Sequence, residues 1–203
     1  MGHPLILCGD SKYGAKWIVD NHLKQDSLVY SFGVGEDISF DLDVNKNFGS
    51  QIRMFDPTPK AVDFIKKQVL PKNMFFYSYG IGNTNGEIDF SPPVNPAHVS
   101  YRQVFGNAVS SIKTAKFPVK TLNTIMSELS DTYIDCIKAD VEGAEFDLID
   151  QIYNMSEPPS MLLIEFHEFA SNFFNRFSSA LNKLTGMGYQ LACKDKDDYT
   201  FIR

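Results

Sequence analysis

The stretch Val29-Tyr30-Ser31-Phe32-Gly33-Val34-Gly35-Glu36-Asp37 decides the fold. Leu28–Phe32 is a short apolar run with β-branched and aromatic residues, as expected of a strand buried on both faces. It leads directly into Gly33-Val34-Gly35, where glycines let a backbone turn tightly and approach a ligand closely. In open α/β sheets ligands bind outside the carboxyl ends of the strands, so this turn is the first candidate binding loop. A plain strand-to-helix turn would use the same glycines, and the loop acquires meaning only from its surroundings.

Working outward, four more runs read as buried strands: Gln51–Phe55, Met74–Tyr79, Tyr133–Ala139 and Met161–Phe166. A short strand is expected at Glu87–Phe90. Helical segments are expected at Lys12–His22, Pro59–Leu70, Leu122–Leu129, Gly143–Tyr153 and Ala170–Leu184. Thr58 before Pro59 has the form of an N-cap, and Gly186 and Gly188 that of a C-terminal stop. Tyr189–Lys194 and Tyr199–Ile202, parted by the polar turn Asp195–Asp198, read as a hairpin. Ser91–Ser111 carries Pro92, Pro93, Pro96 and Gly106 and reads as a long loop placed to act as a lid or substrate wall. Repeated βα units predict an α/β fold with a mostly parallel sheet and helices on both faces. The 203 residues, without internal repeat or linker, are expected to form a single domain.

Two cofactor classes compete for the glycine loop. A dinucleotide site needs G-x-G-x-x-G, with a pyrophosphate on the helix N-terminus. Here the third glycine position holds Ile38, and Glu36 and Asp37 would repel a pyrophosphate. S-adenosylmethionine (SAM) carries an ammonium and a sulfonium, which tolerate acids, so the loop favours SAM. Asp56 ends the second strand about twenty residues past the glycines, where an acid can hold ribose hydroxyls. Pro57 follows it. Tyr79-Gly80-Ile81-Gly82 is the turn expected near the adenine.

Acids and one histidine follow the later strands. Asp140 ends an apolar strand and needs a partner. Glu142 is expected to open the next helix, and Glu145 and Asp147 to be first-turn acids favoured by the helix dipole. Glu165 and His167, two apart, face one side of the fifth strand. His167 could take the proton of an attacking hydroxyl, or be merely structural. A divalent cation on Asp140, Glu142 and His167 is the lesser alternative, and the main expectation is no metal.

With these residues assembled, a family resemblance follows. The segment Val29–Asp41 resembles the cofactor motif of FkbM-type methyltransferases. Phe55–Pro59, Val119–Leu122, the K-x-D-x-E-G-x-E run Lys138–Glu145 and Glu165-Phe166-His167 resemble its later motifs, in order. The N-terminal Tyr13-Gly14-Ala15-Lys16-Trp17 departs from the family's G-G-W element. The resemblance implies a Rossmann-like class I methyltransferase, with expected strand order 3-2-1-4-5-7-6. It implies SAM on Gly33, Val34, Gly35, Glu36, Asp56, Pro57, Gly80, Ile81 and Asp140, and methyl transfer to a hydroxyl of a small molecule or sugar. Asp140, Glu142, Glu165 and His167 are the candidate catalytic set. A non-catalytic SAM-binding module acting through a protein partner, and a nicotinamide dehydrogenase, are the other readings.

Composition sets the outer limits. A net charge of −6 argues against a general nucleic-acid binder. Cys8, Cys136 and Cys193 are too scattered for a zinc site or disulfide framework, so a reducing, cytoplasmic setting is expected. No apolar run has the length of a membrane span. Met1-Gly2 opens like a myristoylation site, but Ile6 stands where Ser or Thr is needed.

Overall fold

A computed structural model describes residues 3–93, 101–104, 114–169 and 172–203. Its centre is a parallel run of five strands: β3 (Leu28–Phe32), β4 (Gln51–Phe55), β5 (Met74–Tyr77), β10 (Cys136–Ala139) and β11 (Met161–Glu165). The hairpin of β12 (Gln190–Asp195) and β13 (Asp198–Ile202) adds to β11 antiparallel. The sheet runs β12-β13-β11-β10-β3-β4-β5. Counting only its own strands in chain order, this is 3-2-1-4-5-7-6 read from the other edge.

Alternation along the strands builds two cores. On β3, Tyr30 and Phe32 face a layer of α3 (Leu122–Leu129), α4 (Glu145–Tyr153) and α5 (Phe173–Gly186), packed through Ile125, Ile149 and Leu184. Val29 faces the opposite layer, with α1 (Ser39–Phe48) and α2 (Pro59–Ile65) packed through Val44 and Ile65. Strands buried on both faces need no polar alternation, which is why the sequence shows apolar runs. A second sheet, in the order β6-β9-β7-β8, lies beside the first. It consists of β6 (Gly80–Ile81), β7 (Gly86–Ser91), β8 (Arg102–Gln103) and β9 (Ala115–Lys120).

Several expectations are corrected. Lys12–His22 is not a helix: Lys16–Val19 forms β2, antiparallel to β1 (Leu5–Cys8). The helical spacing of Ala15, Ile18, Val19 and His22 loses to tertiary partners. Lys16 bonds Glu165 and Asp198, and the Thr200 hydroxyl donates to the Trp17 carbonyl at 2.7 Å. The true first helix of the repeat is α1, a segment without a clear apolar stripe. Helix α4 begins at Glu145, so Glu142 stands in the preceding turn, at φ +49°. Helix α5 runs through Gly186, and Gly188, at φ +89°, follows its end. Its expected start at Ala170 lies outside the described residues. So does much of the expected loop Ser91–Ser111, although Ser91 ends β7 and Arg102–Gln103 pairs with it. The hydroxyl of Thr58 donates to Asp56 at 2.6 Å rather than capping α2.

One contact fixes where the central strands end. Gly33 has φ +76°, and a Cβ built on it would stand 1.6 Å from the carbonyl oxygen of Asp140. The glycine is needed because two strand ends press together. Gly33→Ala should therefore cost at least about 3 kcal/mol of unfolding free energy. Urea denaturation, with the midpoint shifted and the slope unchanged, measures this.

Candidate functional site

The carboxyl ends of β3, β4, β10 and β11 open on a cavity of about 630 Å³, within the range of small-molecule and cofactor pockets. Gly33, Val34, Gly35, Glu36, Asp56, Pro57, Gly80, Ile81 and Asp140, the residues expected to meet a cofactor, all line it. Phe32 and Phe55, stacked with centroids 4.7 Å apart, contribute to its floor. Phe90 of β7 and Tyr101 supply a wall from the second sheet, and Tyr13 and Gly14 one from the turn between β1 and β2. Tyr101 belongs to the segment expected to act as a substrate wall, and it faces the cavity.

Asp37 of the glycine loop and Asp56 at the end of β4 both hold backbone around the cavity. Asp37 accepts from the Ser39 amide at 2.9 Å and bonds the Ser39 hydroxyl at 3.0 Å. It thus places a carboxylate at the N-terminus of α1, where a dinucleotide's pyrophosphate would go. Asp56 is buried and accepts from the Gly35 amide at 2.9 Å and the Thr58 amide at 2.8 Å. It shapes the loop as well as facing the cavity.

Three buried groups around the cavity were not singled out from sequence. Lys138 donates to the Gly33 carbonyl at 2.7 Å and ties β10 to the glycine turn. A lysine inside an apolar strand was the available signal. Asp41, on α1, is 2% exposed, and its Oδ1 has no hydrogen-bond partner among the described residues. Burial pushes its carboxyl up to about 6, against the opposing charge of Lys138. Lys16 is buried between Glu165, at 2.6 Å, and Asp198. Burial disfavours its charge, but Asp140, Glu165 and Asp198 together raise its pKa. The Lys16 ammonium in turn holds Glu165 below the ordinary carboxylate range, despite burial.

Asp140, Glu142 and Glu165 line the cavity, and His167 stands behind them. Its Nε2 is 3.7 Å from Asp140, 3.8 Å from Glu142 and 3.7 Å from Glu165. Its Nδ1 is 2.7 Å from Glu145. Glu145 is fully buried and also accepts from the Gly143 amide through both oxygens, at 3.0 and 3.1 Å. The expectation that Glu145 is only a first-turn helix acid is thus corrected: it orients the histidine. Burial would lower the His167 pKa, but the Glu145 hydrogen bond and the charges of Glu145, Glu142 and Asp140 outweigh it and raise it to about 9. His167 is therefore an imidazolium near neutral pH, not a ready base. Phe169 stacks on its ring at 5.2 Å, and the Arg102 guanidinium lies 4.3 Å from the Phe169 centroid. Asp140, Glu165 and His167, without Glu142, offer donor atoms all within 4.8 Å of one another.

Residues 30–191 match the Methyltransferase FkbM domain. No curated protein sequence matches the chain. Among solved structures, a precorrin-6y C5,15-methyltransferase from Geobacter metallireducens GS-15 shares 13% identity and a TM-score of 0.46, over 89% of this chain and 83% of its own. A pre-rRNA processing fibrillarin from Methanococcus jannaschii shares 11% identity and a TM-score of 0.46, over 98% and 82%. The fibrillarin of Aeropyrum pernix, with natively bound S-adenosyl-L-methionine, shares 10% identity and a TM-score of 0.44, over 91% and 69%.

The buried Asp41 carboxyl gives a pH test. Its pKa is raised by folding from 3.8 to about 6, so the native state binds the proton more tightly than the unfolded chain. That group's contribution is most favourable below pH 3.8 and falls as pH rises towards 6. The rise corresponds to about 3 kcal/mol. Asp41→Asn should stabilise the cofactor-free chain by an amount of that order at pH 7–8, and by much less near pH 4. Chemical denaturation at the two pH values distinguishes this from a pH-independent effect.

Proposed function

Because the chain belongs to the FkbM methyltransferase family, we propose that it is an O-methyltransferase that methylates a hydroxyl of a small molecule or sugar. S-adenosylmethionine is its cofactor. The observation that carries the reading is the acid-lined cavity at the strand ends, in which the α1 N-terminus is already taken by Asp37. That arrangement suits a phosphate-free, cationic cofactor and opposes a dinucleotide. It also speaks against the dehydrogenase reading.

The residues fit the cofactor by their chemistry. The turn Gly33-Val34-Gly35 brings backbone to the cavity, and Asp56 and Glu36 offer carboxylate oxygens for ribose hydroxyls. Asp41, with a buried oxygen that has no partner among the described residues, offers an acceptor for an ammonium. When bound, the cofactor supplies a methyl group already activated by its sulfonium, so positioning can account for much of the rate. Transfer to an acceptor oxygen would leave the electron pair of the carbon–sulfur bond on sulfur and free the hydroxyl proton. The hydroxyl proton passes to the cluster of Asp140, Glu142 and Glu165 around His167. Asp140 and Glu142 are the acceptors within it, Glu165 is tied to Lys16, and His167, held charged by Glu145, fixes their arrangement.

Isothermal titration calorimetry should show one SAM per chain. Asp56→Ala should weaken binding by about ten- to a hundredfold, or about 1.4–2.7 kcal/mol. With a hydroxylated acceptor panel and mass spectrometry, His167→Ala should lose turnover with far less change in SAM affinity. Absence of SAM binding would end the proposal. Binding without turnover on any acceptor would favour a non-catalytic module.

A further inference from the structure

The polar end of the cavity holds more acid than the transfer reaction needs. Asp140, Glu142, Glu145, Glu165 and Asp198 gather around one imidazole and one buried ammonium, His167 and Lys16. We infer that Asp140, Glu165 and His167 form a binding site for a divalent cation of the magnesium or manganese class. The inference rests on the methyltransferase reading only for its role, which is to hold the acceptor oxygen.

The spacing is that of ligands rather than of hydrogen-bonded partners. Nε2 of His167 lies 3.7 Å from Asp140 Oδ1 and 3.7 Å from Glu165 Oε1, beyond hydrogen-bonding reach. Bonds of about 2.1–2.4 Å, at angles between octahedral and tetrahedral, put neighbouring donors about 3.0–3.9 Å apart. Both distances to the histidine fall in that range, and all three donor atoms lie within 4.8 Å of one another, so a small adjustment of side chains brings them onto one ion.

Two of the three donors are also aimed by a group outside the triad. Glu145, with no exposed surface, bonds Nδ1 and turns Nε2 towards the two carboxylates. Metal-binding histidines commonly give their second nitrogen to a carboxylate in this way. Lys16 occupies Oε2 of Glu165 and leaves Oε1 facing the ring. Lys16 comes from a hairpin remote in sequence, so the arrangement does not follow from helix-end geometry. Coordination uses the neutral ring, so loading releases a proton. Two carboxylate oxygens and one nitrogen form a donor set suited to manganese, or to magnesium with its retained waters. Asp140 and Glu165 line the cavity, so an ion held by them would be open to an acceptor bound there. There the ion would lower the acceptor hydroxyl's pKa and fix its oxygen in line with the methyl carbon.

The full chain, freed of metal by a chelator, should be titrated with Mn²⁺ and followed by electron paramagnetic resonance. One Mn²⁺ should bind per chain and be displaced by Mg²⁺. His167→Gln and Glu165→Gln should each weaken binding by at least about tenfold, and Asp150→Asn, an exposed acid paired with Lys183, should not. Circular dichroism and SAM binding on the same samples show that the variants are folded. Normal SAM binding without Mn²⁺ binding would overturn the site, as would Mn²⁺ affinity unchanged in both variants. Loss of SAM binding by the unaltered chain would instead overturn the methyltransferase reading.

Discussion

The carbonyl oxygen of Asp140 occupies the space in which any side chain on Gly33 would have to stand. That exclusion brings the end of β10 against the first turn of the repeat, with no atom between the backbones. Lys138 reinforces it by bonding the Gly33 carbonyl, and the Asp140 amide donates to Phe32 at 3.1 Å. The glycine loop and the acidic cluster are thus two rims of one cavity. A looser junction would separate them and leave each without its counterpart.

The same region concentrates charge in places where charge is expensive. Lys16, Lys138, Asp41 and Glu145 are all buried. Burying an ion costs several kcal/mol unless partners replace the lost water. Lys16, Lys138 and Glu145 have such partners from other strands and turns, whereas one oxygen of Asp41 has none among the described residues and burial raises its pKa. Interactions of this kind add little net stability, but they restrict how the strand ends can be arranged.

Much of this was legible from residues alone. Leu28–Phe32 and Gln51–Phe55 are strands with the expected ends, because continuous apolar runs leave few other choices. The closing hairpin was readable from its polar turn. Every expected cofactor residue lines the cavity, since topology fixes which turns meet there. Lys12–His22 was misread because Lys16–Val19 pairs with Leu5–Cys8, and the contacts that hold this hairpin to the main sheet lie about 150 to 180 residues away. Helix α1 escaped notice because polar residues interrupt its buried face at Phe40, Asp41 and Val44. The role of Glu145 was hidden by an ordinary explanation, the preference of acids for helix starts, which needs no histidine to be true.

The Lys16 contacts bear on what counts as the unit of this fold. The family match spans residues 30–191, yet Lys16 precedes it and Asp198 and Thr200 follow it. Both flanks meet at Glu165, inside the match and on the cavity wall. The boundaries recorded by sequence similarity are therefore not the boundaries of cooperativity. Two segments from opposite ends of the chain, both outside the shared pattern, close over its acidic centre. Relatives that differ in those flanks would share the catalytic motif while holding it under a different mechanical constraint.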